Sequence, residues 1–130
     1  MIDLADYTKP IRDALRNGGF ACVYAVASAD KTRVGYSQDL PSTITRLQAS
    51  SPSELSLEGA LWVPDRGIAT NISKAVHCDL MPNRTSGGWF NLPAPSAAQA
   101  IEIAAFRIYP SAAMVWHNEL MQQCRWRAIG

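Results

Sequence analysis

Between residues 20 and 27 the chain runs Phe-Ala-Cys-Val-Tyr-Ala-Val-Ala, without a charge. Alternation places Phe20, Cys22, Tyr24 and Val26 on one side and Ala21, Val23 and Ala25 on the other. A strand apolar on both sides is buried on both faces, so the chain has to lay helices above and below a sheet. Ser28-Ala29-Asp30-Lys31 is turn chemistry, and residues 32–37 read as the second arm of an antiparallel hairpin.

The rest of the pattern supplies the covering layers. Thr8 and Pro10 start a short helix with Ile11, Ala14 and Leu15 inward, stopped by Asn17-Gly18-Gly19. Asp39 or Ser42 can cap a second helix running to about Ala49, with Leu40, Ile44 and Leu47 inward. Residues 55–63 form a third strand, ended by Pro64-Asp65-Arg66-Gly67. Ile68, Ile72, Val76 and Leu80 recur every fourth residue, a stripe for packing on a sheet, before a loop over 82–88. Pro95 and Ser96 open an alanine-rich helix to about Tyr109; beyond Pro110, Ser111 opens a last one to about Arg125, and the two make a C-terminal helical hairpin. The expectation is one α/β (α+β) domain over residues 1–130, a three-stranded, mainly antiparallel sheet flanked by helices.

A chain of 130 residues, 48% of them hydrophobic, can hold such a core without staples. No apolar run approaches the roughly 18 to 20 residues of a membrane span, so no membrane partner is expected. Asp3 and Asp6 stand where a secretion signal would be basic and then apolar. Cys22, Cys78 and Cys124 form no C-x-x-C pair, and a reducing, cytoplasmic location follows as the expectation. The formal charge of +1 argues against bulk electrostatic grip on nucleic acid and leaves room for a local basic face. Nine of the twelve cations are Arg, suited to forked bonding with phosphate or carboxylate.

Single motifs carry little. His77 and His117 belong to no H-x-x-x-H pair, Gly18-Gly19 and Gly87-Gly88 to no phosphate loop, and no serine to a G-x-S-x-G elbow. Trp116 and Trp126, the latter between Arg125 and Arg127, fit a helix core better than a stacking platform.

Order and spacing say more. Cys22-Val23-Tyr24, then Arg33-Val34-Gly35-Tyr36-Ser37-Gln38-Asp39, Leu47-Gln48-Ala49-Ser50-Ser51-Pro52, residues 69–77, and Gly87-Gly88-Trp89-Phe90 together resemble the GIY-YIG nuclease superfamily, in its short bacterial and phage branch. The resemblance covers residues 20–92, leaving an N-terminal helix (1–19) and a C-terminal helical extension (93–130) outside. It implies a metal-dependent phosphodiesterase in which a hairpin tyrosine activates water, a helix arginine stabilises phosphate, a glutamate holds Mg²⁺ or Mn²⁺ and a histidine assists.

Carried onto this chain, Tyr24 takes the first tyrosine position and Arg33 the second. The arginine position holds Thr43, with Arg46 three residues on, close to the same helix face. The glutamate position, four residues before His77, holds Ser73, and the acidic residue beside Trp89 is replaced by Gly88. The resemblance thus implies Tyr24, Arg46 and His77 as the catalytic set and Arg33, Thr43, Ser73 and Trp89 as the cleft lining. A serine hydroxyl is a poor ligand for a hard cation, so no metal or cofactor is expected. Asp79 cannot replace it, standing six residues and about 240° round the helix from Ser73.

The expected function is an impaired nuclease-like module that binds DNA, RNA or an acidic protein surface. The alternative is an active endonuclease using Mg²⁺ or Mn²⁺, with Arg46 and a carboxylate borrowed from Glu54, Glu58, Glu102 or Glu119. A third reading is an assembly unit that dimerises through Ala112, Val115, Trp116, Leu120 and Cys124. The oligomeric state is open.

Overall fold

The structure, a computed structural model, describes residues 2–129, with side chains to residue 124. The apolar run becomes β1 (Ala21–Ser28), which turns through Ala29 and Asp30 into β2 (Lys31–Ser37). Ser28 pairs with Lys31 across this two-residue loop, and Ala29 adopts a left-handed φ of 54°, the twist a tight hairpin needs. On its other side β1 pairs antiparallel with β3 (Ser56–Val63), with a bulge at Ala25 and Val26. β1 is therefore the centre of the sheet, as its two-sided apolar pattern requires.

Helices cover both faces. On one, α3 (Arg66–Asp79) and α4 (Ala94–Ile108) bury Ala69, Ile72, Val76, Ala97, Ile101 and Ala104 against Ala21, Val23, Ala25, Val34, Leu61 and Val63. The stripe read from the sequence does this packing, with Ile72 and Val76 fully buried and Ile68 and Leu80 at its margins. On the other face α1 (Lys9–Asn17), α2 (Leu40–Ala49) and α5 (His117–Ile129) contribute Ile11, Leu15, Leu40, Ile44, Leu47 and Met121. They meet Cys22, Tyr24, Val26, Leu57 and Trp62, so the two faces divide β1 by the parity of its residue numbers. Tyr7 drops into this second core from a turn of 3-10 helix that precedes α1.

Two expectations need correction. The sheet has five strands, not three, all antiparallel in the order β4-β2-β1-β3-β5. The additions are two-residue edge strands, β4 (Trp89–Phe90) on β2 and β5 (Val115–Trp116) on β3. β5 also removes the C-terminal helical hairpin. Pairing of Val115 with Trp62 and of Trp116 with Leu61 holds residues 115–116 extended, so the last helix starts at His117 and not at Ser111. α4 packs on the first face while Met121 of α5 enters the second core. The stripe through Ala112, Val115, Trp116, Leu120 and Cys124 is accordingly divided between a bend at Ala112, the strand and the helix. The side chains of Arg125, Trp126 and Arg127 lie outside the described residues. No helix among the described residues is long and apolar enough to cross a membrane.

Candidate functional site

The residues singled out from the sequence do not gather at one place. Tyr24 lies on the α2 face, 3% exposed, directly opposite Gly35 on β2. A Cβ at Gly35 would stand 2.5 Å from the Tyr24 hydroxyl oxygen, so the phenol lies over a residue that must be glycine. The ring is sealed into the second core. Ser73 is buried in the opposite direction, on the side of α3 that meets the sheet.

His77 is also on the α3 face, across the sheet from Tyr24. Its Nε2 donates to the Val34 carbonyl at 2.8 Å, and its ring stands edge-on to Phe90 at 5.0 Å. On β2, β4 pairs with Thr32 and Arg33, so His77 satisfies the carbonyl just past the end of that short ladder. From β2, Arg33 reaches the same loop, donating through Nη1 to the Gly87 carbonyl at 2.5 Å. Gly87 and Gly88 have φ of 58° and 84°, and a Cβ on Gly88 would be 3.6 Å from both Arg33 and His77. Arg33, His77 and Trp89 are thus brought together around this glycine pair.

Thr43 and Arg46 belong to a third place. Thr43 shares a 2.7 Å hydrogen bond with Ser37. Both line a hollow of about 420 Å³ with Arg46, Tyr36, Gln38, Asp39, Ser42 and Arg66. The Arg66 guanidinium sits 6.0 Å from the centre of the Tyr36 ring and, by hydrogen bonding to the phenol, lowers its pKa. Asp39 takes the N-cap position of α2, as expected, but its side chain makes no cap bond and is the anchor of a clamp. Arg12 and Arg16 of α1 both donate to its Oδ2 at 2.5 Å, and Ser42 adds a bond of 3.0 Å. Burial works to raise the Asp39 pKa, but hydrogen bonds from Arg12 and Ser42 outweigh it and the pKa is lowered.

An open groove of about 500 Å³ runs between the hairpin, the segment after α2 and the loop before β4. Lys31, Arg33 and Trp89 line it, with Leu47, Pro52 and the hydroxyls of Ser28, Ser50, Ser51, Ser53, Thr85 and Ser86. No carboxylate is among them. Lys31, Arg66 and most of the hydroxyl cluster were missed because they lie outside the family-like motifs, and Ser50 and Ser51 because they fill variable positions within one. The available signal was local: Lys31 and Arg33 share one side of β2 by period two, and Ser50, Ser51 and Ser53 crowd one turn.

Of the carboxylates weighed as metal ligands, Glu54 follows Ser53 without lining the groove, and the others stand elsewhere. Glu102 and Glu119 line a cavity at the β5 edge, Glu58 accepts from Ser56 at 2.6 Å on β3, and Asp79 is paired with Arg107. Among the described residues no three His, Cys, Asp or Glu side chains converge as ion ligands. With Ser73 turned into the core and His77 left to offer its Nδ1 alone, the residues present do not fit a divalent ion. No family model, no curated protein and no solved structure matches the chain.

Proposed function

We propose that the chain is a nucleic-acid-binding module, related in design to GIY-YIG nucleases but without their cutting chemistry, and that its ligand lies in the groove beside β2. The observation that carries this reading is the groove's composition: two cations, one indole, six hydroxyl side chains and no carboxylate. Lysine and arginine supply phosphate contacts, hydroxyls supply hydrogen bonds to phosphate and sugar, and tryptophan offers a face for a base. Parity supports the impairment. A water-activating tyrosine and its partner histidine must meet at one phosphate, and Tyr24 and His77 lie on opposite faces of the sheet.

Fluorescence anisotropy with a labelled oligonucleotide tests the proposal. Binding should be modest, with Kd on the order of 10⁻⁴ to 10⁻⁶ M, and should weaken as salt rises. Lys31→Gln with Arg33→Gln should reduce it further. If poly-glutamate competes as well as the oligonucleotide, an acidic protein surface is the better partner and the proposal fails. Supercoiled plasmid incubated with Mg²⁺ or Mn²⁺ should stay intact; nicking that disappears in Tyr24→Phe would establish the active endonuclease instead.

A further inference from the structure

We infer that the groove at Lys31, Arg33 and Trp89 and the hollow at Arg46 and Arg66 are two parts of one track, which takes a single unpaired strand of nucleic acid along the outer edge of β2. The inference rests on the reading of the groove given above and specifies the form of its ligand. β2 joins the two depressions: Arg33 lines one, and Tyr36 and Ser37 line the other. Four residues of strand separate Arg33 from Ser37, about 13 Å at the usual rise per residue. α2 borders both, through Leu47 on the groove and Arg46 on the hollow. β4 covers only Thr32 and Arg33, so no strand stands between the depressions over the rest of β2.

Cations stand at both ends of that path. Arg46 and Arg66 are exposed, as is Lys31 at the far end. Asp39 is the one carboxylate among the described residues lining the hollow, and its Oδ2 is already held by Arg12 and Arg16. The hollow therefore keeps a positive field for a phosphate.

Aromatic rings favour an unpaired strand over a duplex. Trp89 lies in the groove beside Arg33, and Tyr36, 38% exposed, lies in the hollow with Arg66 over its ring. A ring beside a cation at each end is the arrangement that stacks a free base while holding its phosphate, and a base already stacked in a duplex cannot use it.

The test compares a labelled octathymidylate with a hairpin duplex of equal charge across a salt series, using the full chain, Arg46→Ala/Arg66→Ala and Lys31→Gln/Arg33→Gln. The octamer should bind at least about tenfold tighter than the duplex. Arg46→Ala/Arg66→Ala should flatten the octamer's log K against log salt line by about 1.4, two phosphate contacts at roughly 0.7 each for a single strand. If that slope holds while Lys31→Gln/Arg33→Gln still weakens binding, the groove stands and the track is refuted. A duplex bound as tightly as the octamer refutes the single-strand assignment. An octamer that fails to bind, or that ignores both pairs of substitutions, removes the groove reading and the track with it.

Discussion

Along the β2 and β4 edge the depressions are lined by Lys31, Arg33, Arg46 and Arg66, with Asp39 tied to α1. At the opposite edge, where β5 closes on β3, a cavity of about 220 Å³ is floored by Leu61, Ala105, Met114 and Trp116 and rimmed by Glu102 and Glu119. Glu58 lines a second cavity of about 250 Å³ nearby. The charged side chains lining these depressions are therefore mainly basic at one edge and acidic at the other, a contrast that the formal charge of +1 does not reveal. Net charge alone is a poor guide to what such a chain attracts, because a ligand within a few ångströms of one edge meets the field of that edge.

The largest effect should come from unseating the basic edge. Phe90 is fully buried in β4 and packs against His77, so Phe90→Ala should cost about 3–5 kcal/mol, by transfer and cavity terms together. Trp116→Ala at the β5 edge removes a side chain that is only partly buried and should cost less. Urea denaturation of the two variants measures the difference, and equal losses would mean that β4 does not organise its edge. Asp39→Asn should come next, at about 1.5–3 kcal/mol, because Arg12 and Arg16 lose a charged acceptor.

Acid separates the edges further. His117 and Trp62 are both 1% exposed, and Trp62 Nε1 donates to His117 Nδ1 at 3.1 Å. Burial lowers the His117 pKa below its ordinary 6.5, so the unfolded chain takes up the proton first. The stability tied to a neutral His117 is complete above pH 6.5 and is lost as pH falls towards the folded value. Asp39 also has a lowered pKa, so its contribution is complete above 3.8 and is lost as pH falls through its own folded value. Urea midpoints against pH should show an upper step absent in His117→Gln and a lower one reduced in Asp39→Asn, the remainder belonging to Glu58, whose pKa the Ser56 hydrogen bond lowers. Trp62→Phe, which leaves His117 Nδ1 buried without its donor, should cost about 1–3 kcal/mol.

How much of this was legible in the sequence follows the range of the interactions. The two-sided run of β1, the hairpin and the stripe Ile68, Ile72, Val76 and Leu80 are local periodicities, and each produced the element it announced. β4 and β5 have two residues each, too few to show a period, and exist because β2 and β3 offer unpaired edges. The last helix start was misplaced for that reason: Val115 and Trp116 suit a helix stripe equally well until β3 claims them. Of the candidate site, Arg33, His77 and Trp89 come together because the Gly87-Gly88 loop folds onto the edge, a contact no spacing rule contains. Tyr24 and His77 were separable in principle, since even-numbered β1 residues share the side of Tyr24, but which side α3 would cover was not encoded locally.

The smallest expected effect is the sharpest test of the two-edge picture. Glu102 and Glu119 are exposed, so Glu102→Gln with Glu119→Gln should change stability by less than about 0.5 kcal/mol at each site. The pair raises the formal charge from +1 by two units, which a net-charge account reads as stronger oligonucleotide binding throughout. Geometry says otherwise. From β4 to β5 the sheet spans four strand spacings, about 19 Å. At physiological salt the screening length is about 8 Å, so charge removed at one edge is largely invisible at the other. Affinity for an oligonucleotide should therefore stay within about 1.5-fold of the unsubstituted chain at that ionic strength. A gain as large as the loss produced by Lys31→Gln/Arg33→Gln would show that the whole molecule's charge, and not the β2 edge, governs binding.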